Sequence, residues 1–163
     1  MTPASPDADS TDIPATEVST MARTIQVTFD CAEPARLSKF WALALGYKLQ
    51  DPPPGHATWP DFLTSIGVPE SEWDSRSAIV DPDGVGSRIF FQRVPEDKAA
   101  KNRVHLDVNV GDRSLAPDER RRLVDEHVAR LTDAGATRMT EFDEMGERWV
   151  VMRDPEGNEF CVQ

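Results

Sequence analysis

The feature that most constrains this chain is a turn that occurs twice in the same setting. Asp81-Pro82-Asp83-Gly84 and Asp154-Pro155-Glu156-Gly157 lie 73 residues apart, each between two strand-like segments. Asp at the first position accepts backbone hydrogen bonds, Pro presets the second, and Gly relieves strain at the fourth. Two alternating segments, Thr24–Asp30 and Arg103–Val110, open 79 residues apart. In the first, Ile25, Val27 and Phe29 alternate with Gln26, Thr28 and Asp30, the pattern of a half-buried strand. In the second, Val104, Leu106, Val108 and Val110 lie opposite His105, Asp107 and Asn109. After each strand a proline opens a helix. One starts at Pro34, with Leu37, Phe40, Trp41 and Ala44 at helical spacing and Gly46 as its cap; the other runs from about Pro117 to Ala134, with Val124, Val128 and Leu131 as its stripe and Gly135 as cap. Short strands are expected near Tyr47–Leu49 and Thr137–Thr140, and hairpins from Ala78–Val80 with Ser87–Val94 and from Arg148–Arg153 with Glu159–Val162. Strand–helix–strand–strand–strand therefore occurs twice, which predicts an α+β fold of two tandem βαβββ modules, at about 24–97 and 102–163.

Two stretches stand outside the repeat. Residues 51–77 are Pro-rich, yet they carry Trp59, Phe62, Ile66 and Trp73, too much apolar surface for a bare linker. They read as a flap of one or two short helical turns folded over the body. Residues 1–21 have no Lys or Arg before Met21 and four acids, Asp7, Asp9, Asp12 and Glu17, with Ile13 and Val18 as the only large aliphatics. They read as a disordered acidic tail before a domain spanning 22–163. The tail holds −4 of the net charge of −11, leaving −7 for the domain. That balance argues against a nucleic-acid partner, because affinity for polyanions comes from Lys and Arg at phosphates. No apolar run approaches the roughly 20 residues of a membrane span, and the N-terminus lacks the basic and apolar regions of a secretory signal. Two cysteines, Cys31 and Cys161, are too few for a disulfide scaffold and point to a reducing cytoplasm.

Several motifs occur in a familiar order: Phe40-Trp41 with Leu45-Gly46, ATWPDF, SAIVDPDG, RIFFQRVPE, KNRVHLDVNV and DPEGNEF at 154–160. Together, over about residues 24–163, they resemble the vicinal oxygen chelate superfamily, which includes glyoxalase I, bleomycin-resistance proteins and extradiol dioxygenases. The likeness is greatest to the actinobacterial-type glyoxalase-like domain proteins. The resemblance implies two βαβββ modules whose mixed sheets curl around a shared cleft. In metal-dependent members it also implies four inward-facing His, Gln or Glu ligands, two from each module, holding a divalent ion that chelates vicinal oxygens.

The matching positions here are Gln26, Phe90, His105 and Cys161. Phe90 has no donor atom, and Cys161 stands where glyoxalase I carries its glutamate. Such a set does not suit a hard cation, and the missing carboxylate is also the usual base. No metal is expected as cofactor; if one binds, Gln26 and His105 are its expected ligands. Glyoxalase I and extradiol dioxygenase activity are not expected.

The remaining candidates line the expected cleft: Gln26, Thr28, Phe90, Gln92, Trp149 and Cys161 for ligand binding, with His105 and Asp107 as an acid–base pair. For His105 the competing reading is a hydrogen-bonded histidine in a cleft wall; for Cys161, a small packing residue rather than a nucleophile. Arg88 reads either as a clamp for an anion or as a partner for a nearby acid. Trp59, Phe62, Trp73 and Trp149 read as stacking surface or as flap packing. His127 reads as boundary packing, and DERRRLVDEHVAR at 118–130 as a solvated helix face with i,i+4 pairs.

The leading expectation is a cytoplasmic small-molecule-binding protein that sequesters its ligand or performs metal-independent acid–base chemistry. One alternative is a metal-dependent lyase or isomerase with a shifted ligand set that recruits Gln92, Glu159 or a flap residue. Another is a structural or partner-binding module. A homodimer is compatible with each.

Overall fold

The structure, a computed structural model, describes residues 23–144 and 147–163. The expected tail at 1–21 lies outside the described residues. Eight strands and three α-helices follow in the order β1 Val27–Cys31, α1 Pro34–Leu45, β2 Lys48–Leu49, α2 Trp59–Ser65, β3 Arg76–Val80, β4 Ile89–Arg93, β5 Asp107–Val108, α3 Pro117–Asp133, β6 Thr137–Glu144, β7 Glu147–Arg153 and β8 Glu159–Val162, with a 3₁₀ turn at Glu70–Glu72. The strands form two four-stranded mixed sheets of identical topology, β1-β4-β3-β2 and β5-β8-β7-β6. In each, the opening strand runs parallel to the closing one: β1 beside β4, β5 beside β8. The duplicated sequence thus becomes a duplicated sheet.

Both helices form where the stripe and the punctuation agree. Pro34 occupies the first turn of α1, and Gly46, at φ 69°, takes the left-handed conformation that ends it, its neighbour Tyr47 donating to Ala42 O. The helix buries Leu37, Phe40, Trp41 and Ala44, while α3 buries Val124, Val128 and Leu131. These faces cover one side of the sheets, where Phe91, Ile79, Val150, Met152, Phe160 and Val162 are inaccessible to solvent. The two modules share one core. The Trp41 ring meets Phe160 edge-on at 5.1 Å and Phe40 meets it at 5.9 Å. His127 on α3 donates through Nε2 to Ala44 O of α1 at 3.0 Å, and burial lowers its pKa, as expected of boundary packing.

The second repeated turn also joins the modules. Asp154 is buried, and its carboxylate accepts from the backbone N–H groups of Glu156 and Asn158 (2.9 Å each), from Asn158 Nδ2 (2.9 Å) and from Trp41 Nε1 across the module boundary (3.1 Å). Glu156 accepts from the backbone N–H groups of Ala32 and Glu33, just ahead of α1. Asp81 does the equivalent local work in the first turn, accepting from Asp83, Val85 and Gly86, but near solvent.

Two strand expectations are corrected. Ile25 is 71% exposed rather than on the buried face, because pairing in the first sheet begins only at Val27, opposite Ile89. The expected strand Arg103–Val110 is reduced to Asp107–Val108, with Val104 80% exposed, since β8 supplies partners only from Cys161 onward; the ladder frays on through Cys161 N to Leu106 O and Val110 N to Gln163 O. Conversely, β6 extends to Glu144, past the expected Thr140, paired to β7 along its length as an edge strand.

Candidate functional site

The period of two along each strand puts one set of side chains on the helix-covered face and the other on the opposite, open face. On the first sheet the open face carries Gln26, Thr28 and Asp30 beside Arg88, Phe90 and Gln92, because β1 and β4 pair Thr28 with Phe90 and Asp30 with Gln92. On the second it carries His105, Asp107 and Asn109 beside Cys161 and Gln163, because Asp107 pairs with Cys161. The duplication persists in the bonding. Gln92 Nε2 donates to Asp30 Oδ1 at 2.8 Å, and Gln163 Nε2 donates to Asn109 Oδ1 at 3.0 Å. The candidates therefore sort into two groups, one per sheet, rather than around one shared cleft. His105, Asp107, Trp149 and Cys161 line a pocket of the second module, whereas of the first group Phe90 lines the first-module pocket and Gln26, Thr28 and Gln92 lie outside its wall.

The pocket of the second module has a volume of about 430 Å³ and is walled by His105, Asp107, Trp149, Cys161 and a rim of arginines. His105 Nδ1 and Asp107 Oδ1 are 3.0 Å apart, the contact expected of a carboxylate-oriented imidazole. One ligand atom from each of His105, Asp107 and Cys161 lies within 4.8 Å of the others. Burial pushes the Cys161 thiol up to about 11, with the Asp107 charge and a hydrogen bond to that carboxylate adding to the rise. At neutral pH Cys161 is thus a thiol, which disfavours a nucleophilic role. Trp149 stacks on Phe142 at 5.0 Å and 14°. Three of the four rim arginines are matched to acids: Arg120 to Glu147, Arg121 to Asp143, Arg148 to Asp125.

The pocket of the first module is larger, about 710 Å³, and lies between the sheet and the flap. The flap folds as α2, capped by the Thr58 hydroxyl accepting from Asp61 N, followed by the 3₁₀ turn. Its indoles are anchored by their N–H groups, Trp59 to Gln50 O at 2.9 Å and Trp73 to Val68 O at 3.0 Å, which leaves their ring surfaces for the pocket wall. Trp59, Phe62, Ile66 and Trp73 line the flap side, and Ala78, Arg88 and Phe90 the sheet side. Arg88 departs from the expected pairing with an acid. Its Nε donates to Gln50 Oε1 and its Nη1 to Gln26 Oε1, both at 2.7 Å, and the guanidinium lies 5.0 Å from the Phe90 ring centroid. Gln50 was invisible as a participant in the sequence, since it lies in no motif and reaches Arg88 only through the fold.

The quartet expected from the resemblance does not fit a hard cation in these surroundings. The Gln26 carbonyl oxygen is occupied by Arg88, Phe90 is a hydrocarbon ring under a guanidinium, and Cys161 is a protonated thiol. Glu159, a candidate in a shifted set, is committed elsewhere: the backbone N–H of Asn102 (3.0 Å) and then the Lys98 ammonium (3.0 Å) hold its carboxyl at about 2. What the structure adds is Asp107 as a third donor beside His105 and Cys161. Alternation alone placed it near His105, but only the parallel register sets it against Cys161.

Solved structures of low sequence identity share this fold. A glyoxalase/bleomycin resistance protein/dioxygenase family enzyme from Burkholderia phytofirmans is 17% identical with a TM-score of 0.56, covering 84% of this chain and 94% of its own. A glyoxalase family protein from Bacillus cereus is 22% identical with a TM-score of 0.54, covering 91% and 97%. A variant of the fosfomycin resistance protein FosX from Listeria monocytogenes, solved with Mn(II) and 1S,2S-dihydroxypropylphosphonic acid, is 11% identical with a TM-score of 0.57, covering 88% and 92%. Among curated proteins, none matches the chain significantly in sequence. The family model described as "Glyoxalase-like domain" matches residues 26–163, both modules and the flap within the first. With its two βαβββ sheets and paired turns, the chain belongs to the glyoxalase-like domain family of the vicinal oxygen chelate superfamily.

Proposed function

We propose that this protein is a small-molecule-binding member of its family, and that its ligand occupies the first-module pocket under the flap. One observation carries the reading: a cavity of about 710 Å³ walled by two anchored tryptophans, Phe62 and Phe90, with a few polar groups at its edge. Ligand sites are commonly concave, mostly apolar and of this size, roughly 300–1,000 Å³. Gln26, Thr28 and Gln92 supply the polar edge of the same sheet face. The domain acts as one unit over residues 22–163 in the cytoplasm, a setting that fits two unpaired, buried cysteines. Among the described residues no helix is long and apolar enough to cross a membrane. Pairing of two chains is part of this reading, since each open sheet face could be covered by a second copy. Thermal-shift measurements against planar aromatic compounds test it. A ligand at 100 times its Kd stabilises by about 2.7 kcal/mol, so a saturating ligand raises the Tm by several degrees. No shift with any compound at millimolar concentration contradicts it.

A second reading is favoured by the His105–Asp107–Cys161 cluster. With Asp107 holding the imidazole, His105 serves as an acid–base in the second-module pocket; with a borderline-soft divalent ion, the same three side chains serve as ligands. Metal content per chain in untagged protein, compared with His105→Ala, distinguishes the two. Near-stoichiometric metal lost in the variant supports the metal site, and metal-free folded protein favours the binding reading.

A further inference from the structure

The first-module pocket contains an arginine, Arg88, that makes no ion pair among the described residues. Several other arginines of this acidic protein find an acid: Arg93 pairs with Asp74, Arg122 with Glu119 and Glu126, Arg148 with Asp125. Arg88 is held instead by two neutral amide oxygens, Gln26 Oε1 and Gln50 Oε1, each at 2.7 Å. Amides fix a guanidinium without cancelling its charge. Of its five N–H groups, those two bonds use one at Nε and one at Nη1. Three hydrogens, two on Nη2 and one on Nη1, make no bond to the described residues, so the outer end of the guanidinium keeps donors that a carboxylate accepts from. Phe90 beneath the guanidinium adds a cation–π contact that stiffens it further.

The rest of the lining limits the ligand. The charged groups around the cavity are Arg76, Arg88 and Glu72, two cations and one anion, so a single negative charge balances the site and a second meets Glu72. Apart from Gln50, Ser75 and Ser77, the remaining wall is aromatic and aliphatic. Trp59 and Phe62 lie edge-to-face at 5.9 Å and Trp73 faces the same space, which suits a flat ring.

We propose that this pocket selects a planar aromatic or heteroaromatic monocarboxylate, its ring among the flap aromatics and its carboxylate on the outer end of the Arg88 guanidinium. The inference rests on the binding function proposed above and narrows it to a ligand class with Arg88 as the specificity-determining residue.

The test uses naphthalene-2-carboxylate and its neutral isostere naphthalene-2-carboxamide, titrated into the full chain with intrinsic tryptophan fluorescence as the readout. The carboxylate is expected to bind about tenfold to a hundredfold more tightly than the amide, the range for a hydrogen bond to a charged group. Arg88→Gln abolishes the preference and leaves the amide's affinity within about threefold; Arg88→Lys, which keeps the charge and loses the fork, retains an intermediate preference. Equal affinity of wild-type protein for the two compounds, or a preference that survives in Arg88→Gln, overturns the assignment while leaving a binding pocket in place. Binding of neither compound overturns the assignment, while the binding function itself falls only if no planar aromatic compound shifts the Tm. Because the wild-type ratio is itself decisive, the proposal stands or falls even if Arg88→Gln does not fold.

Discussion

Replacing Asp154 by Ala tests how the repeated turn holds the modules together. The carboxylate is 3% exposed and accepts four hydrogen bonds, one from the Trp41 indole on the other module. Its loss strands the indole N–H inside the core, where an unsatisfied donor costs about 1–3 kcal/mol, and removes the bonds that close the turn, each worth about 0.5–1.5 kcal/mol net. Some of the turn N–H groups reach water, so the total expected is about 3 kcal/mol, a large part of the 5–15 kcal/mol by which domains are stable. In urea, with a slope of about 1–3 kcal/mol per molar, the midpoint falls by roughly 1–3 M at unchanged slope. Asp81→Ala is the internal control. It removes three backbone hydrogen bonds from the equivalent turn, but water can replace that carboxylate, so its midpoint falls distinctly less. Equal losses for the two variants would refute the argument that burial and the Trp41 bond, rather than turn closure, carry the stability. In a double-mutant cycle of Trp41→Phe with Asp154→Asn, a coupling near zero would refute it independently.

Four further outcomes follow from the same geometry. Cys31, pushed to about 12 by burial and then by nearby acids, and Cys161, at about 11, titrate above their ordinary value of 9.0. Above pH 9 the unfolded chain sheds protons that the native chain keeps, so stability falls as pH rises from 9 towards 11, and equilibrium unfolding across that window shows the decline in wild-type protein and a weaker one in Cys161→Ser. At pH 7 alkylation of native protein by iodoacetamide proceeds at least a hundredfold more slowly than after denaturation, since the thiolate is scarce and shielded; a rapidly labelled cysteine would contradict the neutral thiol. Glu159 has the opposite sign: its pKa is depressed from 4.5 to about 2, so its contribution is present above 4.5 and fades as pH falls towards 2, and Glu159→Gln flattens the acid limb of the stability profile. Gly46→Ala meets no atom within 4 Å, so its loss, about 1–2 kcal/mol in urea unfolding, isolates the backbone cost of the left-handed cap.

Much of the fold was legible because its signals are local and occur twice. The Asp-Pro-x-Gly turns, the prolines opening α1 and α3, and the buried stripes of Leu37, Phe40, Trp41 and of Val124, Val128, Leu131 each carry their own physics. What failed were strand ends. Ile25 and Val104 alternate correctly with their neighbours, but a strand lasts only as far as its partner, and the partner is fixed by register. β6 ran past its expected end because Thr137–Glu144 is exposed throughout and carries no alternation for an edge strand to display. At the site, alternation reads which side chains share a face but not which partners they take. Gln26, Thr28, Phe90 and Gln92 share one open face and His105, Asp107 and Cys161 the other. That Arg88 would choose Gln26 and Gln50 over the many acids of this chain depends on distances no spacing encodes.

The central claim is that a ligand enters under the flap of the first module. The chain contains four tryptophans, and their indole N–H groups report on separate places: Trp59 and Trp73 on the first-module pocket, Trp149 on the second, Trp41 on the core. A ¹H–¹⁵N spectrum recorded during titration with naphthalene-2-carboxylate tests the claim most directly. The account predicts that the Trp59 and Trp73 signals and the Arg88 side chain shift together and saturably, while Trp149 and Trp41 stay in place. Movement of Trp149 with Trp59 and Trp73 unmoved would place the ligand beside His105 and contradict it.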